Sequence, residues 1–354
     1  MSLSSAAVRR AMQVIDRVGL DIPIYEIEHA LRDILEEKSN PVQIGAFLTA
    51  MRLTRVEQRP EVLMSTVNII RSYSIPIEGI SSMQPKFVDI VGTGGDGHNT
   101  FNVSTASAII AAGAGLHICK HGNKASTSSS GSADLLMSFG CDLLNVTAKN
   151  LISIADESKF SFLFAPQCHP RLKVVAPVRK EIGVPSIFNL VGPLLNPVPT
   201  YARIIGVSHP TLGPTFAQAL LLLGADRSLV VCGEEGLDEI SPAGPTHAWL
   251  VKDGQITQMI LTPESFHLPY HPLSSVASGT PSANAVLLQR LLSNLLPKNH
   301  PILDYVLMNT AMLLHVAGLA DSLYHGVILA QESIASRSAL TELERFASAT
   351  RIFQ

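Results

Sequence analysis

A chain of 354 residues carrying a net charge of −3 and only 5% aromatic residues lacks the basic surface and stacking platforms of a general nucleic-acid binder. Its 46% hydrophobic and 16% charged residues call for a sizeable core, enough for two domains or one large domain with a small appendage. The four cysteines, Cys119, Cys141, Cys168 and Cys232, lack paired spacing, which argues against a zinc site or disulfide framework and points to a reducing, cytoplasmic setting.

No long apolar run follows Arg9 and Arg10, so no secretory leader is expected, and no apolar stretch is long enough to span a bilayer. Apolar residues recur at helical spacing over Ala6 to Leu20, Ile24 to Glu37, Asn40 to Arg55 and Pro60 to Tyr73, predicting a small all-helical domain. Asn40 before Pro41 reads as an N-cap with proline at the first helical position. This domain lacks clustered polar groups, so its expected role is structural or an oligomer contact. Ser74 to Gln84 is rich in Pro, Gly and Ser and reads as a hinge into an α/β part.

Phe87 to Val91 is short, apolar and β-branched, hence a buried strand. The glycine loop Gly92-Thr93-Gly94-Gly95-Asp96-Gly97 leaves it. Ser104 or Thr105 is the expected N-cap of a helix from Thr105 to Ala112, closed by Gly113, and Leu116 to Cys119 is the next strand. Strand, glycine loop, helix and strand form a βαβ unit with an anion site at the helix N-terminus. Gly92, Gly94 and Gly97 match the dinucleotide fingerprint, but Lys120 and His121 stand where it wants an acidic residue. P-loop spacing also fits, but His98-Asn99 stand where Lys-Ser/Thr is required. A second loop, Lys120 to Ser132, is dense in small residues, hydroxyls and cations. Two such loops at neighbouring strand ends can grip two phosphate groups from opposite sides; two ordinary glycine turns are the bland alternative.

Farther along, Ala133 to Phe139 and Thr147 to Glu157 read as helices and Phe160 to Ala165 as a strand, whose exit carries Cys168, His169 and Arg171. Ala176 to Asn196 is Pro-rich and includes Arg179, Lys180 and Glu181. Arg203 to Val207 is a strand, Thr215 to Leu223 a helix, and Ser228 to Cys232 a strand leaving into the acidic loop Gly233 to Glu239. On a loop at a strand's C-terminal end, Asp238 and Glu239 can both reach a magnesium ion; a solvated loop is the bland reading. Asp253-Gly254 joins His247 to Val251 and Gln255 to Leu261 in a predicted hairpin. Asn284 to Leu295, Ile302 to Ala317, Ala320 to Ser333 and Ser338 to Ala349 are the expected closing helices.

The motifs Gly92-Thr93-Gly94-Gly95-Asp96, Asn102-Val103-Ser104-Thr105 and Lys120-His121-Gly122-Asn123 together resemble the anthranilate phosphoribosyltransferase family. The resemblance continues through Pro177-Val178-Arg179, Phe188 to Pro193 and Asp238-Glu239-Ile240-Ser241, in order over nearly the whole chain. It implies a type III phosphoribosyltransferase, nucleoside-phosphorylase-like α/β fold: a small all-helical N-terminal domain plus a larger α/β domain with a central, mostly parallel sheet flanked by helices. Residues 1–80 would form the helical domain, with about 171–198 returning to it. Residues 81–170 and 199–354 would form the domain that binds 5-phosphoribosyl 1-pyrophosphate (PRPP).

The implied reaction joins anthranilate and PRPP to give N-(5-phosphoribosyl)anthranilate and pyrophosphate, a step of tryptophan biosynthesis, with magnesium as cofactor. The resemblance assigns anthranilate to Gly92, Asn123 and Arg179. It assigns PRPP to Gly92, Gly95, Asp96, Thr100, Asn102, Val103, Ser104, Thr105, Lys120, His121, Gly122, Asn123, Lys124, Ala125, Ser126, Thr127, Ser128 and Ser132. Metal falls to Ser104, Asp238 and Glu239, and transition-state stabilisation to Lys120 and Asp96. Lys124 stands where the family usually has Arg, which keeps the charge and loses the planar fork. Arg171 stands where the family often has a small residue, either near the acceptor path or simply at the surface. No covalent nucleophile is required; His121 and His169 are candidates for proton removal or for a neutral positional role. A homodimer, and no nucleic-acid or membrane partner, completes the expectation. Two readings stay open beside it: a pyrimidine nucleoside phosphorylase-like enzyme, which would normally carry a third domain and lack these motifs, and a non-catalytic nucleic-acid-binding relative.

Overall fold

The computed structural model describes residues 4–84, 86–125 and 129–352. Ser126, Thr127 and Ser128 of the expected donor site lie outside the described residues. The chain opens with four helices, α1 (Ala6–Val18), α2 (Ile24–Leu35), α3 (Pro41–Leu53) and α4 (Pro60–Ser72). Asn40 caps α3 as its sequence demands: its Oδ1 accepts from Gln43 N at 3.0 Å, with Pro41 next in line.

The α/β part follows as β1 (Phe87–Gly92), α5 (Val103–Gly113), β2 (Ile118–Gly122), α6 (Ser132–Phe139), α7 (Leu151–Glu157), β3 (Phe160–Phe164) and the single turn α8 (Ala165–Cys168). Then come α9 (Ala176–Ile182), the turn α10 (Ile187–Leu190), β4 (Thr200–Gly206), α11 (Leu212–Leu222), β5 (Arg227–Gly233), β6 (Thr246–Lys252) and β7 (Gln255–Leu261). Helices α12 (Pro281–Leu292), α13 (Pro301–Val316), α14 (Leu323–Ala335) and α15 (Ser338–Ile352) close the chain. The β6–β7 turn is the expected one, with Asp253 and Gly254 both left-handed at φ 51° and 73°.

The strands form one seven-stranded sheet in the order β3-β2-β1-β4-β5-β6-β7. Pairs from β3 through β5 are parallel, and β6 and β7 are antiparallel additions. One face packs on α5, α13 and α15 through residues such as Ile109, Leu313 and Phe346. The other face, through Ile205, Val230 and Trp249, packs on α11, and that cluster runs on without a break into the N-terminal helices and α9–α10.

The chain fills β1, β2 and β3 in one direction, then returns to lay β4 on the other side of β1. That reversal opens a crevice outside the carboxyl ends of β1 and β4, the place where open α/β sheets bind ligands. Two local expectations need correction. The cap of α5 is Asn102, not Ser104 or Thr105: Asn102 Oδ1 accepts from Thr105 N at 3.2 Å, and the helix starts two residues early with both hydroxyl residues buried in its first turn. Strand β2 extends through Gly122, so Lys120 and His121 are strand residues pointing into packed interior rather than members of a loop.

Candidate active site

Gly92 ends β1 and Gly206 ends β4, and the two are register partners. A Cβ at either would overlap Asp238, whose carboxylate lies over Gly92 and whose backbone lies over Gly206. These glycines exist to admit the acidic loop leaving β5, a close-approach role rather than a turn role. Gly94 and Gly95 are both left-handed, at φ 66° and 73°, and this turn aims Gly94 N at Asp238 Oδ2, 2.6 Å away. Asp238 is thereby fixed in the switch-point crevice.

The charges there are out of balance. Burial, and then the charge of Asp96, push the Asp238 carboxyl up to about 7. Burial and then Asp238 raise Glu239 as well. Among the described residues no three His, Cys, Asp or Glu side chains converge tightly enough to cage a metal by themselves. Carboxylates crowded out of water, with Asp238 nearly buried in a notch that no Cβ could share, nonetheless fit a hard divalent cation that takes most of its oxygens from water and phosphate. Lys120 partly offsets the excess from below. It is 1% exposed, its Nζ donates to the Ile90 carbonyl and to Ser104 Oγ at 3.2 Å, and it lies within electrostatic reach of Asp89, Glu239 and Asp238. Its ammonium sits beneath the loops and positions the Ser104 hydroxyl.

The two sequence-predicted loops do meet. Ser129 donates from N and Oγ to Asn99 Oδ1 at 3.0 and 2.9 Å, so the second loop is tied to the first. Ser278 N donates to Asn99 O and Phe101 N to Val276 O, which lays the 272–279 segment over both. Asp134 Oδ2 accepts from Ala125 N and Gly131 N, drawing the ends of the second loop together ahead of α6. Thr100 bridges to Ala277, Asn123 and Lys124 are exposed in the loop after β2, and Ser132 opens α6. Thus the glycine loop after β1, the start of α5, the loop after β2 and the start of α6 are brought together at the carboxyl ends of β1 and β2.

Arg179 stands outside this network. It is half-buried on α9, its guanidinium carbon is 5.9 Å from the centre of the Phe188 ring, and burial lowers its pKa. It makes no ion pair among the described residues, with Glu181 or with any other carboxylate. Arg171 is half-exposed near Glu37 at 3.9 Å, a surface residue.

Sequence reasoning named His121 and His169 without seeing that they touch. Their Nε2 atoms are 3.1 Å apart, both residues are buried, and Ser74 Oγ lies 2.7 Å from His169 Nδ1. Burial chiefly, with Arg71 nearby, holds His169 at about 4 and His121 well below its usual range, so both rings are neutral. Nothing in spacing predicts a contact between residues 74 and 169.

Patterns for known families match two stretches: the glycosyl transferase family helical bundle domain over residues 17–71, and the glycosyl transferase family a/b domain over residues 84–340. An anthranilate phosphoribosyltransferase of Schizosaccharomyces pombe is 69% identical over 341 residues, covering 96% of each chain. The structure of anthranilate phosphoribosyltransferase from Saccharomyces cerevisiae in complex with PRPP and Mg superimposes with a TM-score of 0.93 at 36% identity, over 99% of this chain and 100% of that one. The same yeast enzyme in complex with 4-fluoroanthranilate gives 0.90 at 34% identity, over 99% of both.

Proposed function

The chain belongs to the anthranilate phosphoribosyltransferase family, within the glycosyl transferase family, and from that premise we infer that it transfers the phosphoribosyl group of PRPP to the amine of anthranilate. The products are N-(5-phosphoribosyl)anthranilate and pyrophosphate, and the step belongs to tryptophan biosynthesis. The observation that carries this reading is the crevice at the β1–β4 switch, where a glycine loop, a helix N-terminus and paired carboxylates meet.

Breaking the bond from the anomeric carbon to pyrophosphate leaves positive charge on the sugar and negative charge on the leaving group. Residues Gly95, Asp96, Thr100, Asn102 to Thr105, Asn123 to Ala125 and Ser132 hold the donor, with His121 and Gly122 supporting from the strand end. Asp238, Glu239 and Ser104 would hold magnesium, which neutralises the departing pyrophosphate when bound. Lys120, from beneath, orients Ser104 and favours the negative charge of the leaving group, while the Asp96 carboxylate favours the positive charge on the sugar. Gly92, Asn123 and Arg179 receive anthranilate; the desolvated Arg179 fork suits an ortho carboxylate. The amine attacks as it stands and sheds a proton; His121 and His169 are candidates for taking it or for a neutral positional role.

The helical part, residues 1–80 with 171–198, is the natural unit on one side of the cleft, and 81–170 with 199–354 the other. A homodimer through the helices is supported by exposed Leu20, Tyr25, Val42 and Leu53, at 51, 50, 80 and 79% exposure. Light scattering at micromolar concentration tests it, a monomer being the adverse result. Four buried free thiols suit a reducing cytoplasm, and no helix among the described residues is long and apolar enough to cross a membrane. Loss of anthranilate fluorescence on mixing with PRPP and magnesium tests the activity; no loss, with phosphorolysis of uridine instead, would overturn it.

A further inference from the structure

A second feature lies at the opposite end of the same strands. Phe87 and Thr200 begin β1 and β4, whose far ends form the active-site crevice roughly 17 Å away at strand rise. Beneath those beginnings is a cavity of about 790 Å³. Arg71, Arg203 and Lys86 line it, with Asp226 the only acidic residue on its wall among the described residues, and Ile77, Met83 and Leu220 give it an apolar side.

The two arginines are unusual. Nε of each is buried without an acceptor among the described residues. Among the described residues the Arg71 side chain has one bond, from Nη2 to the Leu194 carbonyl at 2.6 Å, and the Arg203 side chain has none. Neither is ion-paired among the described residues, and they lie close enough to repel one another: burial, with Arg203 beside it, lowers Arg71 to about 10. Asp89, the in-register neighbour of Arg203 on β1, attracts it but makes its own bond to Asn196. Buried guanidinium groups normally find carboxylates or phosphates, and like charges left together out of water cost several kcal/mol in general. A cavity of this size with a few convergent polar groups and an apolar wall is ordinary for a small-molecule site.

We propose that this cavity binds a small organic anion whose oxyanion meets Arg71 and Arg203 while its apolar body lies along Ile77, Met83 and Leu220. Two of the chain crossings between the helices and the sheet, 74–83 and 196–199, contribute to the wall, so an occupant touches two connections at once. Ser74, on that wall, also contacts His169, which contacts His121, so the site is in physical contact with the strand end at the crevice.

The test is calorimetric titration of the full-length protein at fixed ionic strength with two probes, hexanoate and inorganic phosphate. Saturable binding is expected, weakened about tenfold or more by Arg203→Gln, as for loss of a charge-assisted bond. Should that buried variant fold poorly, Lys86→Glu and Ala225→Trp, both at the rim, are expected to weaken binding comparably. Arg179→Ala should leave it unchanged. Hexanoate following this pattern assigns the oxyanion to a carboxylate, and phosphate following it assigns a phosphoryl group. No saturable binding of either probe, indifference to Ala225→Trp, or loss in Arg179→Ala would each overturn the proposal.

Discussion

Gly92 and Gly206 face each other across β1 and β4 as register partners, and a side chain on either would collide with Asp238. The loop that brings in the candidate metal carboxylate is seated by the sheet itself. Gly206→Ala should therefore act at a distance, by lifting the Asp238 backbone. The expected result is a loss of ~1–3 kcal/mol in stability, as for overpacking, together with a raised magnesium requirement. Denaturant melts and magnesium titrations of turnover check both; unchanged values would mean the loop accommodates the methyl group.

Asp238→Asn with Glu239→Gln removes the charge while keeping the shape. Turnover should fall by more than about a hundredfold, the scale of several kcal/mol of metal-derived stabilisation. Thermal stability should hold or rise, because repulsion among Asp238, Glu239 and Asp96 is relieved. Unchanged turnover at limiting magnesium would sink the metal assignment.

Arg179→Lys replaces a planar fork by a point charge. The Michaelis constant for anthranilate should rise roughly ten- to hundredfold, equivalent to about 1.5–3 kcal/mol, and that for PRPP should change little. If both constants move together, or only the melting temperature falls, Arg179 is a packing partner of Phe188 and the acceptor binds elsewhere.

The His121–His169 pair sets a pH dependence of stability. Unfolded histidines take up protons near 6.5, whereas His169 in the folded protein resists down to about 4, and His121 is lowered too. The unfolded chain binds more protons in that window, so the pair's contribution is present above about 6.5 and is lost as pH falls toward 4, by up to ~1.4 kcal/mol per pH unit per histidine. His169→Gln should flatten the stability profile between those values. An unaltered slope would show that other groups govern it.

Much of this was legible in the sequence because it is local. The Asn40-Pro41 start, the Asp253-Gly254 hairpin and the β1–loop–α5–β2 order all follow from turn and cap chemistry over a few residues. The glycine-loop and Asp238-Glu239 motifs were visible, and their family resemblance carried the substrate. What stayed hidden is long-range. Nothing local says that Gly206 mirrors Gly92, that Asn99 holds Ser129, or that Ser74 reaches His169. The N-cap of α5 went astray because Asn, Ser and Thr all occur within four positions and only packing decides among them. Lys120 read as a loop cation because its burial depends on strand β3 covering β2.

The apolar cluster on the α11 side runs from Val62, Leu63 and Val67 of α4, through Phe216 and Leu220, to Val230 and Trp249 of the sheet. Because this buried apolar cluster is continuous from bundle to sheet, heat cannot release one without stripping the other. Calorimetry should record one cooperative transition for bundle and sheet together. Whatever relative motion accompanies turnover must then pivot on this shared apolar seam, leaving the freedom to the polar crossings and loops at its margin.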